Sequence, residues 1–329
     1  MMSSATFVCG IDFHKSSSTI CVINSLTGQV VMLVEVKHTG SLVFIECLSQ
    51  YKENLIIGVE STYNWYWLVD LLQEQGFNVM LGDAEAIGNQ CRRKNKSDAG
   101  DAEKIARLLM SGLFPESHIC NQQFRSIRDL HRGICSLQQF RSDLVRQSKT
   151  VDHQHFLSGV GSSEESTQML AESRKILIAS CETQIKNLNS HLQCELKNYR
   201  ESELDLLQTI PGIGEMLASA LILEIEHVDR FQSVRNFSSY CGFVPPSRVS
   251  AGKNYGDKGK NKCNGRLRQT FQIAAICFIR YSKTGRTYNE KIKRQHSSKA
   301  SKNIIAHKIA RTVYYMLRNN KEFDVIRFA

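Results

Sequence analysis

No run of apolar residues in this chain approaches the roughly 18 needed to span a bilayer. The opening "MMSSATFVCGIDFHK" lacks a charged segment followed by an apolar one, so no export signal is expected. No stretch reads as a membrane-surface amphipath either. The eleven cysteines include no CxxC pair and no Cys/His cluster at zinc spacing, which argues against a zinc module or a disulfide framework. They read as mostly buried, reduced thiols of a cytoplasmic protein. Basic residues are scarce where the chain begins: residues 1–90 hold 3 Lys and Arg against 9 Asp and Glu, a net of −6.

What is present is length and a skewed charge. The 329 residues suffice for two or three domains with cores of their own. Residues 91–150 carry 12 basic and 6 acidic side chains, residues 151–210 carry 5 and 9, and residues 211–329 carry 22 and 8. The C-terminal third therefore holds a net of +14, the balance expected of a domain that faces a polyanion.

The first hundred residues alternate between strand and helix patterns. "FVCGIDF" and "STICVINS" are β-rich and joined by the polar turn "HKSS", as in a hairpin, and "GQVVMLVEV" follows as a third strand. "SLVFIECLSQYKE" has helical spacing, "NLIIGVEST" reads as a buried strand, "YNWYWLVDLLQEQG" as a helix and "FNVMLGD" as a strand. Three antiparallel strands, then helix, strand, helix, strand is the order of ribonuclease H-like folds. The expected class is α/β plus α. Beyond residue 119 two long amphipathic patterns flank "SGVGSSEES", which predicts an antiparallel helical arm or coiled coil. Arg125, Arg128, Arg132 and Arg141 on it could touch a nucleic-acid backbone or serve an oligomer contact.

"LLQTIPGIGEMLASALILEI" predicts a helix-hairpin-helix-like element in which Gly212 and Gly214 let a phosphate approach a helix N-terminus. A Gly- and Lys-rich loop follows, then two helical stretches, "RLRQTFQIAAICFIRY" and "SKNIIAHKIARTVYYML".

Four carboxylates stand out on these elements. Asp12 sits inside an apolar strand, where a charge is costly unless paired or metal-bound. Glu60 ends another such strand, and in a ribonuclease H-like order the two strands are neighbours. In "KNKSDAGDAEKIARLL" Ser97 or Asp98 can cap a helix, while Asp98 and Asp101 lie one turn apart on one face. Converging carboxylates repel unless divalent cations neutralise them, and hard oxygen donors select magnesium or manganese. Two such ions about 3.5–4 Å apart serve in-line phosphoryl displacement. His14 and Lys15 follow Asp12 closely, in a hairpin position that accounts for them as well as catalysis does.

"GIDFHK", "GVEST" and "KSDAGDAEKIARLL" resemble the Asp–Glu–Asp–Asp transposases of bacterial insertion sequences, the one-hundred-and-ten family related to the Piv invertase. "IPGIG", "YCGFVPPSRVSAG", "GKNKCNGRLRQ" and "KIARTVYYML" resemble that family's second, transposase-specific domain. The resemblance implies a RuvC-like acidic domain over 1–118, the helical arm over 119–200, and a mainly helical domain over 201–329 with a nucleophilic serine. It implies that Asp12, Glu60, Asp98 and Asp101 bind Mg2+, or Mn2+. It places the serine at Ser250, which would attack the DNA backbone and hold it as a phosphoserine ester. Arg248, Lys253, Lys258, Lys260 and Lys262 would stabilise phosphate charge, with Arg266 and Arg268 beyond them. Ala251 stands where the family has glycine after the serine, and Ser247 is the neighbouring rival. The implied partners are donor and target double-stranded DNA, a structured non-coding bridge RNA that guides the choice of both, and further copies of the chain as a dimer or tetramer. Acidic and serine domains would then meet between protomers, and the enzyme would work in the bacterial cytoplasm at the nucleoid. The alternatives are a RuvC-like nuclease hydrolysing branched DNA, with Ser250 structural, and a non-enzymatic nucleic-acid-binding protein.

Overall fold

Strand patterns at the start of the chain fold into β1 (Phe7–Phe13), β2 (Ser17–Asn24) and β3 (Val30–Lys37), which run antiparallel in sequence. The model is a computed structural model. It describes residues 5–38, 40, 42–62, 64–90, 97–158, 164–244, 249–250, 253–254 and 263–328, and only the backbone at 150–158, 164–165, 249–250 and 253–254. Two compact units make up the chain, Met1–Gln122 and Gln123–Ala329.

In the first unit β4 (Leu55–Glu60) and β5 (Asn78–Gly82) join the hairpins as parallel neighbours, and the sheet order is β3-β2-β1-β4-β5-β6. This is the order and sense expected from the sequence. β6 (Glu116–Ser117) pairs antiparallel with β5 and is new; two residues are too few to leave a period in the sequence. The helix expected over 41–53 is α1 (Leu42–Leu48) followed by a 3-10 segment, Ser49–Asn54. α2 (Tyr66–Glu74) and α3 (Ala84–Gln90) follow their strands, and α4 (Asp98–Met110) closes the unit.

β1 and β2 are buried on both faces, which is why they read as continuous apolar runs. Cys9, Ile11, Phe13, Ile20 and Val22 pack with Phe44 and Leu48 of α1 and Leu68 and Leu72 of α2. On the opposite face Val8, Cys21 and Ile23 pack against Ala102, Ile105, Ala106 and Leu109 of α4. Each fully buried Ile, Leu or Phe contributes about 1.5–3 kcal/mol.

The second unit is helical among its described residues apart from the pair β7 (Val249–Ser250) and β8 (Lys253–Asn254). α5 (Gln122–Ser158) and α6 (Glu164–Gln208) touch at Gln123–Tyr199 and Arg141–Glu182, contacts that fit only an antiparallel pair. α6 kinks at Arg200, whose φ of −149° is not helical. α7 (Glu215–Ile225) is buried from Ala218 to Ile225, as its all-apolar surface requires. The remaining described α-helices are α8 (Val234–Tyr240), α9 (Gly265–Tyr281), α10 (Lys283–Lys293), α11 (Ser298–Asn319) and α12 (Val325–Phe328), and α7 packs on α6 and α9. The two helical stretches expected at the C-terminus are α9 and α11; α10 between them carries a weaker apolar pattern. Ser233, Asn264, Ser282 and Ser297 cap the N-termini of α8 to α11 with their side chains. No described helix is long and apolar enough to cross a membrane.

Candidate active site

Three glycines decide where the acidic residues lie. A Cβ on Gly10 would fall 2.1 Å from the Ala102 carbonyl oxygen and 2.5 Å from the Ala106 nitrogen, so α4 rests directly on β1. A Cβ on Gly58 would meet Ile105, Leu109 and Phe114, and one on Gly82 would meet Phe114 and Ile87. β1, β4 and β5 thus present bare backbone towards α4 and its following turn. Side chains alternate along a strand, so Asp12, two past Gly10, and Glu60, two past Gly58, sit on that same face. The parallel register pairs Ile11 with Val59, which makes Asp12 and Glu60 the next positions of adjacent strands. Strands in a sheet run about 4.8 Å apart.

α4 brings its N-terminus to this edge. Ser97 is its cap, the hydroxyl accepting from the Gly100 N–H at 3.2 Å. Capping is therefore done without Asp98, and the acids at 98 and 101 occupy the first turn, where the helix dipole favours negative charge. Asp12 is 5% exposed. His14 Nε2 lies 3.2 Å from an Asp12 carboxylate oxygen and 3.5 Å from one of Asp98. Donor atoms of Asp12, His14 and Asp98 all fall within 4.8 Å of one another. Glu60 and Asp101 stand outside that group, Glu60 on the neighbouring strand and Asp101 one helical turn beyond Asp98. Two carboxylates and an imidazole suit a hard or borderline divalent cation, and imidazole is a better donor to Mn2+ than to Mg2+.

Ser250 lies in the second unit, on β7, its backbone paired with Lys253 of β8. Arg248, Lys258, Lys260 and Lys262, with Ser247 and Ala251, lie outside the described residues, and Ser250 and Lys253 are described in backbone alone.

Comparison with protein families finds two matches in chain order. A DEDD transposase model of the IS110 type covers residues 9–157, and a model of the IS116/IS110/IS902 transposase family covers residues 204–290. The chain carries the paired domains of an IS110-family transposase. Among curated proteins, the transposase for insertion sequence element IS1533 of Leptospira borgpetersenii is 26% identical over 259 residues, 71% of this chain and 75% of that one. The pilin gene-inverting protein of Moraxella lacunata is 33% identical over 137 residues, 39% of each chain. A DEDD domain implies a RuvC-like fold, divalent-metal binding and DNA cleavage and joining.

Within this transposase the residues expected to meet nucleic acid fall into three groups. Arg266 is exposed and Arg268 half-buried on the first turn of α9. Arg125 and Arg132 are turned to the interior instead. Arg125 is 4% exposed, and Arg132 grips buried Glu224 with two hydrogen bonds, at 2.9 and 2.8 Å; Arg128 is half-buried beside them. On a helix of this period the face cannot be told from spacing alone, since arginines lie on both sides of the apolar stripe. Arg141 pairs with Glu182 across the arm.

Gly212 has φ +90°, and a Cβ there would lie 2.7 Å from the Cys277 carbonyl carbon. Its freedom is used to dock the turn before α7 on the backbone of α9, a packing reason that the sequence reading did not supply. Gly214 is exposed and caps α7, with Glu215 in the first turn. His14 was legible as a residue for which a hairpin position and a catalytic one served equally well; the signal that favoured the site was its place two residues from Asp12.

Proposed function

We propose that this transposase exchanges DNA strands of its insertion sequence through a phosphoserine intermediate on Ser250, with magnesium held by the acidic edge of its first unit and donor and target chosen by a structured RNA. The observation that carries the reading is the convergence of Asp12, His14 and Asp98 at the end of β1, in a chain whose second matched domain includes Ser250. Asp12, Glu60, Asp98 and Asp101 form the metal-binding set, and His14 completes it. A cation bound there supplies Lewis-acid stabilisation of charge on the phosphate and a lowered pKa for a coordinated hydroxyl.

The chain's own groups do the rest. The Ser250 hydroxyl gives up its proton and attacks phosphorus, forming an Oγ–P bond. The P–O bond to the departing sugar breaks, and that oxygen takes up a proton. The phosphodiester is kept as a serine ester, so a hydroxyl of the incoming strand can reverse the reaction and regenerate the serine without an external energy source. The basic loop around Ser250 offsets phosphate charge. The +14 balance of residues 211–329 suits RNA and DNA backbones alike. The relatives named for transposition and gene inversion favour strand exchange over hydrolysis alone.

The test uses purified protein, Mg2+, RNA transcribed from the flanking element and end-labelled DNA. Label that survives denaturation on the protein, and is lost in Ser250→Ala and Asp101→Ala, is the expected result. Cleavage without an adduct, lost in Asp101→Ala and kept in Ser250→Ala, would instead establish a RuvC-like nuclease in which Ser250 is structural.

A further inference from the structure

Glu224 is a deeply enclosed member of an ion pair: its side chain is 2% exposed and that of its partner Arg132 is 30% exposed. The Arg132 and Asn264 hydrogen bonds and the Arg132 charge hold its carboxyl below the ordinary range, against the opposing effect of burial. A buried ion pair of this kind is a poor stabiliser, since apolar residues of equal volume do as well or better. What distinguishes this one is where its second oxygen goes. Glu224 Oε2 also accepts from the Asn264 side-chain amide at 2.8 Å, and that same amide donates to the Tyr240 hydroxyl at 3.1 Å.

Tyr240 and Asn264 are the two roots of the segment that carries Ser250. Tyr240 ends α8, and Asn264 caps α9 by accepting from the Leu267 N–H at 3.0 Å. Their backbones are tied directly, the Asn264 N–H donating to the Tyr240 carbonyl at 2.8 Å. Two residues on from Tyr240 and one before Asn264 the chain touches itself again: a Cβ on Gly242, whose φ is +74°, would lie 2.7 Å from the Cys263 sulfur. Tyr240 is itself fixed, because the Arg230 guanidinium stacks 4.6 Å from its ring centre while donating to the Ile225 carbonyl at the end of α7. Residues of α5, α7 and α8 and the cap of α9 thus meet in one polar knot.

We infer that Arg132, Glu224, Asn264 and Tyr240 are positioning residues for the serine nucleophile, a clamp that holds both ends of the Ser250 segment in one register. This rests on the proposed serine chemistry. Tying Tyr240 to Asn264 sets where the chain leaves α8 and where it enters α9 without touching the reacting atoms, and small misplacements of a nucleophile cost large factors in rate. The clamp acts through Ser250 and predicts a loss of rate with little loss of DNA affinity.

Asn264→Ser keeps a good N-cap for α9 and removes only the amide donor; Tyr240→Phe removes one hydroxyl. In the full chain with Mg2+, RNA and DNA, both variants should bind DNA within about twofold of the parent and melt within a few degrees of it. Single-turnover formation of the serine adduct should slow on the order of tenfold in Asn264→Ser and several-fold in Tyr240→Phe. The double variant should be no slower than the slower single, because the residues act as one unit. Adduct formation at the parental rate in both singles overturns the clamp and leaves the serine chemistry standing. If Asn264→Ser does not fold, Tyr240→Phe decides alone. A parent that forms no adduct at all overturns the serine reading, and the clamp with it.

Discussion

The two units hold the side chains proposed to react by opposite means. In the first, backbone geometry suffices: parallel strands end together, glycines let α4 lie against them, and Asp12, His14 and Asp98 meet because the end of β1 and the start of α4 share one edge. In the second, the backbone of Ser250 stands on a two-residue strand, and the proposed clamp is made of side chains, Arg132 through Glu224 to Asn264 and Tyr240. A site built on element ends tolerates side-chain change but not added bulk beneath it. A site built on a polar knot tolerates bulk nearby but not the loss of a partner.

The strongest way to break the comparison is to attack each chemistry. Ser250→Ala and Asp12→Asn should each abolish strand exchange, with metal binding kept in the first and lost in the second, as read by Mn2+ titration calorimetry. Next is packing: Gly10→Ala forces a methyl into the backbone of α4, and the first unit should lose about 3 kcal/mol or more, an overpacking cost at the top of the usual range. Denaturant unfolding measures it, and an unchanged midpoint would show that α4 is free to move away. Glu224→Ala leaves Arg132 and Asn264 facing a gap and should cost the second unit about 3 kcal/mol, with the first unit unaffected.

Acidity separates the units more gently. Burial holds His131 and His307 below their ordinary 6.5, and Arg132 and Asn264 hold Glu224 below its ordinary 4.5. Groups with depressed folded pKa values take up protons more readily when unfolded, so their stabilisation is complete above the ordinary value and lost as pH falls through the folded one. The second unit should therefore weaken below pH 6.5 and again below 4.5. In the first unit the buried thiols move the other way: burial pushes Cys21 from 9.0 up to about 11, and stability is lost across that alkaline interval. Cys135 and Cys241 give the second unit the same alkaline loss. The smallest expected effect is His14→Ala, a loss on the order of tenfold in Mn2+ affinity with the fold unchanged. An unaltered affinity would leave His14 a hairpin residue.

The same contrast explains what could be read from the sequence. Strand order and the neighbouring positions of Asp12 and Glu60 were legible because a sheet buried on both faces leaves long apolar runs. The helix start at Asp98 was legible from its cap and acidic first turn. β6 was too short to see, and α10 has too few apolar residues. The inward turn of Arg125 and Arg132 was hidden, since a 37-residue helix shows its period but not which stripe meets α7. The knot around Glu224 joins residues 132, 224, 240 and 264, a spacing with no period at all. Glu224 lies in "ALILEIEHV", where two acids stand amid apolar residues and nothing in the spacing names a partner.

The central claim is the covalent bond to Ser250, and the most direct measurement is mass spectrometry of the trapped protein–DNA adduct after nuclease and protease digestion. The account predicts a nucleotide phosphate on the peptide containing Ser250, and none when Mg2+ is chelated beforehand. A phosphonucleotide on another residue, Ser247 included, or cleaved DNA with no modified peptide, would contradict it.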